Sequence, residues 1–269
     1  MGHRFALLAA ILSVLVAARA VPALPPPPRL PALIGERLEF RVRWGVIPAA
    51  RATLEVLAGP DGTVRFRARA RTLPYIDTVY PVRNRVESTV LPVSLSPLRY
   101  FKRAKEGWGD PREVEVLFDP EAGTSRYFRN RELKKELLVP AGIQDPLSCF
   151  YAYRVRPLPD DRAVVLDITD GKKLVTGTVR VLGRETVNTP AGSFSTVKIE
   201  PRIEGIGGIF KKSPGARIFV WLTDDGRRMP VKLQSEVIVG SFVAELTEVR
   251  EPPPPAPGSA PPGPPEPGP

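Results

Sequence analysis

From residue 37 onward the chain keeps a two-residue rhythm, and that rhythm constrains the fold more than any other feature. Leu38, Phe40, Val42 and Trp44 alternate with Arg37, Glu39, Arg41 and Arg43. A strand sends successive side chains to opposite faces, so this segment reads as a strand with one dry face and one wet one. Gly45 to Pro48 then turns the chain, and Ala50, Ala52, Leu54, Val56 and Ala58 resume the alternation up to a second turn at Gly59-Pro60-Asp61-Gly62. In the next segment Val64, Phe66, Ala68 and Ala70 face one way while Arg65, Arg67, Arg69 and Arg71 face the other, a basic stripe that fits a solvated outer face or a docking rail. Three strands joined by short turns predict an antiparallel meander.

The same pattern recurs at residues 85–91, 98–103, 113–118 and 125–129, and again at 163–168, 174–182, 196–203, 217–222, 230–237 and 242–249. A dozen or so short strands separated by turn residues predict an all-β fold: a large, strongly curved antiparallel sheet or half-open barrel that hides one face and wets the other. One segment breaks the rhythm. Asp145 is a good N-cap, Pro146 suits the first helical position, and Leu147 to Arg156 shows no strand alternation. A single helix is predicted there, with Leu147, Phe150, Tyr151 and Arg154 at helical spacing, placed to plug or cover the mouth of the sheet.

Proline sets the boundaries of this region. Of the 33 prolines, six fall within residues 22–31 and eleven within 252–269. Residues 21–33 therefore read as a proline-rich linker, 34–250 as a single β domain with enough chain to bury a substantial core, and 251–269 as a disordered proline-rich tail. Ahead of the linker, Arg4, the apolar run Phe5 to Ala18 and the small-residue pattern Ala18-Arg19-Ala20 have the layout of a cleaved secretory signal over residues 1–20. The apolar run is too short to span a bilayer. The expected location is periplasmic or secreted. Losing Arg4 and Arg19 with the leader lowers the formal charge from +10 to +8, a basic balance that suits an anionic envelope surface better than nucleic acid, or serves solubility alone.

Residue types exclude much of familiar enzymology. The one histidine, His3, lies in the leader, so the mature chain has no imidazole for a Ser-His-Asp triad, a Cys-His pair or a histidine metal site. Cys149 is the only cysteine; it has no disulfide partner in the chain and no activating histidine, and it reads as a buried small hydrophobe. The pairs Asp224-Asp225 and Asp160-Asp161 are the best candidates for two-carboxylate chemistry, but Asp224-Asp225-Gly226 has the setting of a hairpin turn and Asp160-Asp161 that of a loop. No calcium-loop or phosphate-loop spacing is present. The expectation is a protein without enzymatic activity, metal or cofactor. The glycine-rich stretch Glu204 to Ser213 reads as a hairpin tip whose Ile206, Ile209 and Phe210, beside Lys211 and Lys212, suit contact with a lipid interface.

Several stretches together resemble a family of exported bacterial proteins, domain of unknown function 3108. They are Gly35-Glu36, Trp44-Gly45 and Ala49-Ala50; Asp145, Leu147-Ser148 and Tyr151 to Arg154; then Thr189-Pro190-Ala191-Gly192-Ser193-Phe194, Val220 to Asp225, Pro230-Val231 and Val239-Gly240. The resemblance implies a curved antiparallel sheet similar in outline to envelope carriers of lipoproteins and lipids. It supplies no established activity and no catalytic residues. The leading expectation is a binding protein whose concave face, lined by Trp44, Phe66, Tyr100 and Trp221 and covered by Phe150 and Tyr151, holds an apolar ligand, a lipid or a lipidated partner. The same aromatics equally suit a dry core, in which case the chain is a structural or interaction protein of the periplasm. A carboxylate-based enzyme acting on polysaccharide is the remaining reading. Oligomeric state is left open.

Overall fold

The computed structural model describes residues 30–203, 217–237 and 240–252. The leader, most of the proline-rich linker, the tip residues Ile206, Ile209, Phe210, Lys211 and Lys212, and the tail from residue 253 onward lie outside the described residues.

Within them the chain forms one antiparallel sheet of fourteen strands. These are β1 (Arg37–Trp44), β2 (Ile47–Ala58), β3 (Val64–Thr72), β4 (Val82–Val90), β5 (Pro97–Glu106), β6 (Arg112–Asp119), β7 (Thr124–Arg129) and β8 (Glu132–Leu138), followed by β9 (Val164–Thr169), β10 (Leu174–Thr189), β11 (Gly192–Ile203), β12 (Arg217–Thr223), β13 (Pro230–Val237) and β14 (Gly240–Arg250). A four-residue helix, α1 (Pro74–Asp77), joins β3 to β4, and α2 (Pro146–Val155) lies between β8 and β9. The strand order is β8-β7-β6-β5-β4-β3-β2-β1-β14-β13-β12-β11-β10-β9. Two meanders, β1–β8 and β9–β14, thus meet along a seam where β1 pairs with β14 from Arg37↔Arg250 to Trp44↔Phe242, with a bulge at Glu39/Phe40.

The sheet curls until its two edge strands approach. Lys135 Nζ on β8 donates to the Lys172 carbonyl in the β9–β10 turn at 2.7 Å. A Cβ on Gly171 in that turn would stand 2.7 Å from Val116 Cγ2 on β6, so the turn sits hard against the far half of the sheet. The segment between the edges also adds to the rim of β9: Gln144 N donates to Asp167 O at 2.8 Å and Thr169 N to Gln144 O at 2.9 Å. No ladder joins β8 to β9 among the described residues. The result is the half-open barrel that the alternation predicts.

The concave face carries the core. Val56, Phe66, Ser88, Tyr100, Val116 and Tyr127 are successive cross-strand partners from β2 to β7 and make one row across six strands. All six are buried. Helix α2 lies against this row, and Leu147, Cys149, Tyr151, Ala152 and Tyr153 join the same core. Leu30 and Leu33 depart from the linker reading: they form a short 3-10 turn and are buried in that core, because two leucines at this spacing gain more from packing than the adjoining prolines lose by it.

Candidate functional site

The interior is organised around α2. Asp145 caps the helix, accepting from Leu147 N at 2.8 Å and Ser148 N at 2.9 Å, while Ser148 Oγ accepts from Asp145 N at 2.9 Å, a complete capping box. Its other carboxylate oxygen accepts from Ser88 Oγ, midway along the cross-strand row, so the cap is also the bolt that fixes the helix to the sheet. Burial pushes the Asp145 carboxyl up to about 6, against the pull of the hydrogen bonds from Ser88, Ser148 and Leu147.

One turn further along, Tyr151 stacks on Phe66 with ring centroids 3.8 Å apart and planes 4° from parallel. At the C-terminal end, Arg154 is fully buried and makes a two-pronged pair with Glu36, 2.6 Å and 2.9 Å. Arg154 also donates to the carbonyls of Arg228 at 3.0 Å and Arg227 at 3.3 Å. Glu36 stands just before β1 and residues 227–228 lie in the β12–β13 turn, so one guanidinium ties the helix to both meanders at the seam. Cys149 is buried with Sγ 3.2 Å from the Tyr153 hydroxyl, and burial pushes the thiol up to about 12. A thiol in that environment is not a nucleophile. Burial likewise raises the hydroxyls of Tyr100, Tyr151 and Tyr153.

The aromatic residues expected to line one cavity divide into three places. Phe66, Tyr100 and Tyr151 meet in the interior, with Phe150 half-buried and edge-on to Tyr151 at 5.7 Å. Trp221 alternates with Val220 and Leu222 along β12 and so faces the opposite side, where Lys198 Nζ at 4.8 Å and Lys232 Nζ at 4.6 Å lie over its ring and its indole N–H donates to Glu185. The distal half of the β10–β11 hairpin reaches over this side, bringing Val187 and Phe194 to the same cluster. Trp44 is at the rim, half-exposed and stacked on Phe242 at 6.4 Å. The row that α2 lies against is buried, yet Ser125 Oγ, Tyr127 OH, Tyr151 OH and Gln144 Oε1 are buried without a hydrogen-bond partner among the described residues.

The carboxylate pairs serve the turns that their sequences predict. Asp225 Oδ1 accepts from Arg227 N, Arg228 N and Thr223 Oγ1, at 2.9, 3.1 and 2.6 Å. Asp224 and Asp160 both pair with Arg184 at 3.1 Å, which clamps two loops together. Among the described residues no group of three or more His, Cys, Asp or Glu side chains is gathered as a metal site. Ser88 and the Arg154–Glu36 pair went unread in the sequence; the only local signal was Arg154 on the otherwise apolar stripe of the helix.

The sequence match follows the same bounds as the sheet. The family described as a protein of unknown function, DUF3108, matches residues 39–247, from β1 to β14. The chain belongs to this family. No curated protein matches the chain in sequence. Among solved structures, the DUF3108 fold here is similar to a β-barrel-like protein of DUF1849 from Brucella abortus, with a TM-score of 0.53, 12% identity, and 81% of this chain and 98% of that one covered. A candidate lipoprotein from Parabacteroides distasonis (TM-score 0.35, 11% identity, 84% and 100% covered) and a candidate exported protein with a YmcC-like fold from Bacteroides fragilis (TM-score 0.31, 12% identity, 85% and 99% covered) also match. The Brucella likeness establishes the barrel-like fold alone.

Proposed function

We propose that this DUF3108 chain is a non-enzymatic exported protein of the cell envelope that acts by binding, and that it meets its partner through its outer surface and rim. The observation that carries this reading is the helix that covers the interior: α2 lies along the concave row, stacked through Tyr151 on Phe66 and bolted by Asp145 and Arg154 at its two ends. A ligand on that row would have to displace the helix and break the buried pair. The leader pattern of residues 1–20 supports export, and the buried thiol and the turn-bound aspartates support a role without bond-making chemistry. Native mass spectrometry of the gently purified chain tests the proposal. A clean apo mass in repeated preparations is the expected result, and a stoichiometric copurifying lipid overturns it.

A second reading, a carrier of an apolar chain inside the half-barrel, is favoured by one observation. The unpartnered Ser125, Tyr127, Tyr151 and Gln144 oxygens are buried polar groups of the kind that a bound molecule or water satisfies. The copurifying lipid of the same experiment, lost on denaturation, is the outcome that reading requires.

A further inference from the structure

The register of the sheet assembles a feature invisible along the chain. Arg41 faces Arg51 across β1–β2, Arg51 faces Arg71 across β2–β3, Arg71 faces Arg83 across β3–β4, and Arg83 faces Lys105 across β4–β5. Five cations therefore stand in one continuous cross-strand row, spanning roughly 19 Å at about 4.8 Å per strand. They lie on the outer face, because Ala52 and Ala70 beside them on β2 and β3 share the side of Val56 and Phe66 in the buried concave row.

Like charges directly opposite one another destabilise a sheet. The neighbouring run Arg69↔Arg85↔Arg103 also sets arginines face to face, but each of them reaches a glutamate, Glu55, Glu87 and Glu113 in turn. The row nearer the opposite rim alternates in sign, Arg37↔Glu55↔Arg67↔Glu87, and is neutralised internally through Glu55 and Glu87. In the all-basic row two members are matched, Arg41 by Glu245 at 3.4 Å and Arg83 by Asp77. Arg51 and Arg71, at its centre, are exposed and make no close salt bridge among the described residues; Arg71 only adds to the pull of Arg83 on the Asp77 carboxylate.

Immediately beyond this row, on the turns of the same rim, stands an exposed apolar edge. Val46 is 87%, Val79 74% and Trp108 73% exposed, with Trp44, Tyr75 and Tyr80 each about half-exposed beside them. The edge is continuous: the Tyr75 hydroxyl donates to the Pro48 carbonyl, and the Tyr80 ring packs over Gly107, next to Trp108. Along β1 the step from Arg41 to Trp44 is about 10 Å, the offset between a headgroup phosphate layer and the aromatic belt that sits beside it.

We propose that this rim docks on an anionic phospholipid surface, with the tryptophan and tyrosine edge entering the headgroup region and the Arg41-Arg51-Arg71-Arg83-Lys105 ladder receiving the phosphates. The proposal rests on the reading that the chain works through its outer surface. The test is flotation of the full chain with vesicles of phosphatidylcholine alone and of phosphatidylcholine with phosphatidylglycerol. Binding is expected only to the anionic vesicles and is expected to weaken as salt is raised. One basic side chain at such a surface is worth about fivefold in partitioning, so R51E/R71E is expected to cost roughly 25-fold or more. R162E/R180E makes the same change in net charge on exposed residues near the β9 edge and is expected to stay close to the unaltered protein. V79S/W108S is expected to weaken binding without changing its salt dependence.

Equal losses in the two charge-reversal variants would overturn the proposal, since bulk charge alone would then explain the attraction. Absence of flotation would overturn it too, as would tight binding of inorganic polyphosphate without any binding to vesicles. A clean apo mass together with failed flotation removes this docking surface and leaves the covered-interior reading in place, whereas a copurifying lipid removes that reading first.

Discussion

Replacing Arg154 by methionine isolates the contact that holds α2 at the seam. Arg154 and Glu36 are both buried, and their pairing distances of 2.6 and 2.9 Å leave no room for water between them. Removing only the cation strands the Glu36 carboxylate in the interior, which costs about 3–5 kcal/mol. The carbonyls of Arg227 and Arg228 lose a donor in the same step, adding about 1 kcal/mol each. For a domain of this size every kcal/mol shifts the melting temperature by about 2–4 °C, so the variant should melt on the order of 10 °C or more below the parent. Removing both charges, with Arg154→Met and Glu36→Leu together, relieves the stranded carboxylate. Only the carbonyl cost, about 2 kcal/mol, should remain. Urea unfolding of the two single variants and the double closes the cycle, with the double variant expected to be more stable than Arg154→Met alone. A loss below about 1 kcal/mol for Arg154→Met, or a double variant as unstable as the sum of the singles, would refute the argument.

Phe66→Ala removes the ring beneath Tyr151 in a buried row and is expected to cost about 3–5 kcal/mol in the same urea assay. Asp145 gives a pH dependence with a definite sign. Its folded carboxyl titrates near 6, above the ordinary value of 3.8, so the folded state takes up the proton first and stability rises as pH falls through that window. Between pH 7 and pH 5 the gain from this group should be ~1 kcal/mol, and Asp145→Asn should flatten the slope. Glu87 and Glu200 are held below their ordinary 4.5 by arginine hydrogen bonds and work in the opposite direction only in more acid solution. Cys149, with its thiol pushed up to about 12, should resist a thiol-reactive probe in the folded protein and react at the rate at which the protein opens.

Strand content was legible because one wet and one dry face leave a period-two trace, and the N-cap of α2 was legible because Asp145, Pro146 and Ser148 act within four residues. What escaped depended on partners far away or on missing contrast. β8, Glu-Leu-Lys-Lys-Glu-Leu-Leu, is exposed along almost its whole length and carries no apolar alternation; its lysines and glutamates suit a sheet edge that must not recruit another strand. β10 continues to Thr189, past the segment read from 174 to 182, because its distal half, with exposed Arg184, Glu185 and Thr186, pairs only with its own hairpin partner. The bulge between Val181 and Gly183 lets that half change direction. The bolt at Ser88 is 57 residues from Asp145 and Glu36 is 118 from Arg154, separations over which no local pattern signals a pairing. For the same reason the aromatics read as one lining went to three places: a strand's rhythm tells that Trp44 and Phe66 alternate with arginines, and Trp221 with Val220 and Leu222, but not which face of the finished sheet each will meet.

The pairing of β1 with β14 gives this architecture a clock. Glu39 and Thr247, hydrogen-bonded across it, are 208 positions apart, so the first strand to be made must wait for nearly the entire polypeptide before it gains its second neighbour. Contacts that distant are the slowest to form, and until they do, the inner side of β1, with Leu38 and Phe40, lies uncovered along a flank that invites a neighbouring molecule to add its own strand. Anything that halts synthesis after β13 but short of residue 240 therefore leaves two raw edges, β1 and β13, that the finished sheet closes with β14.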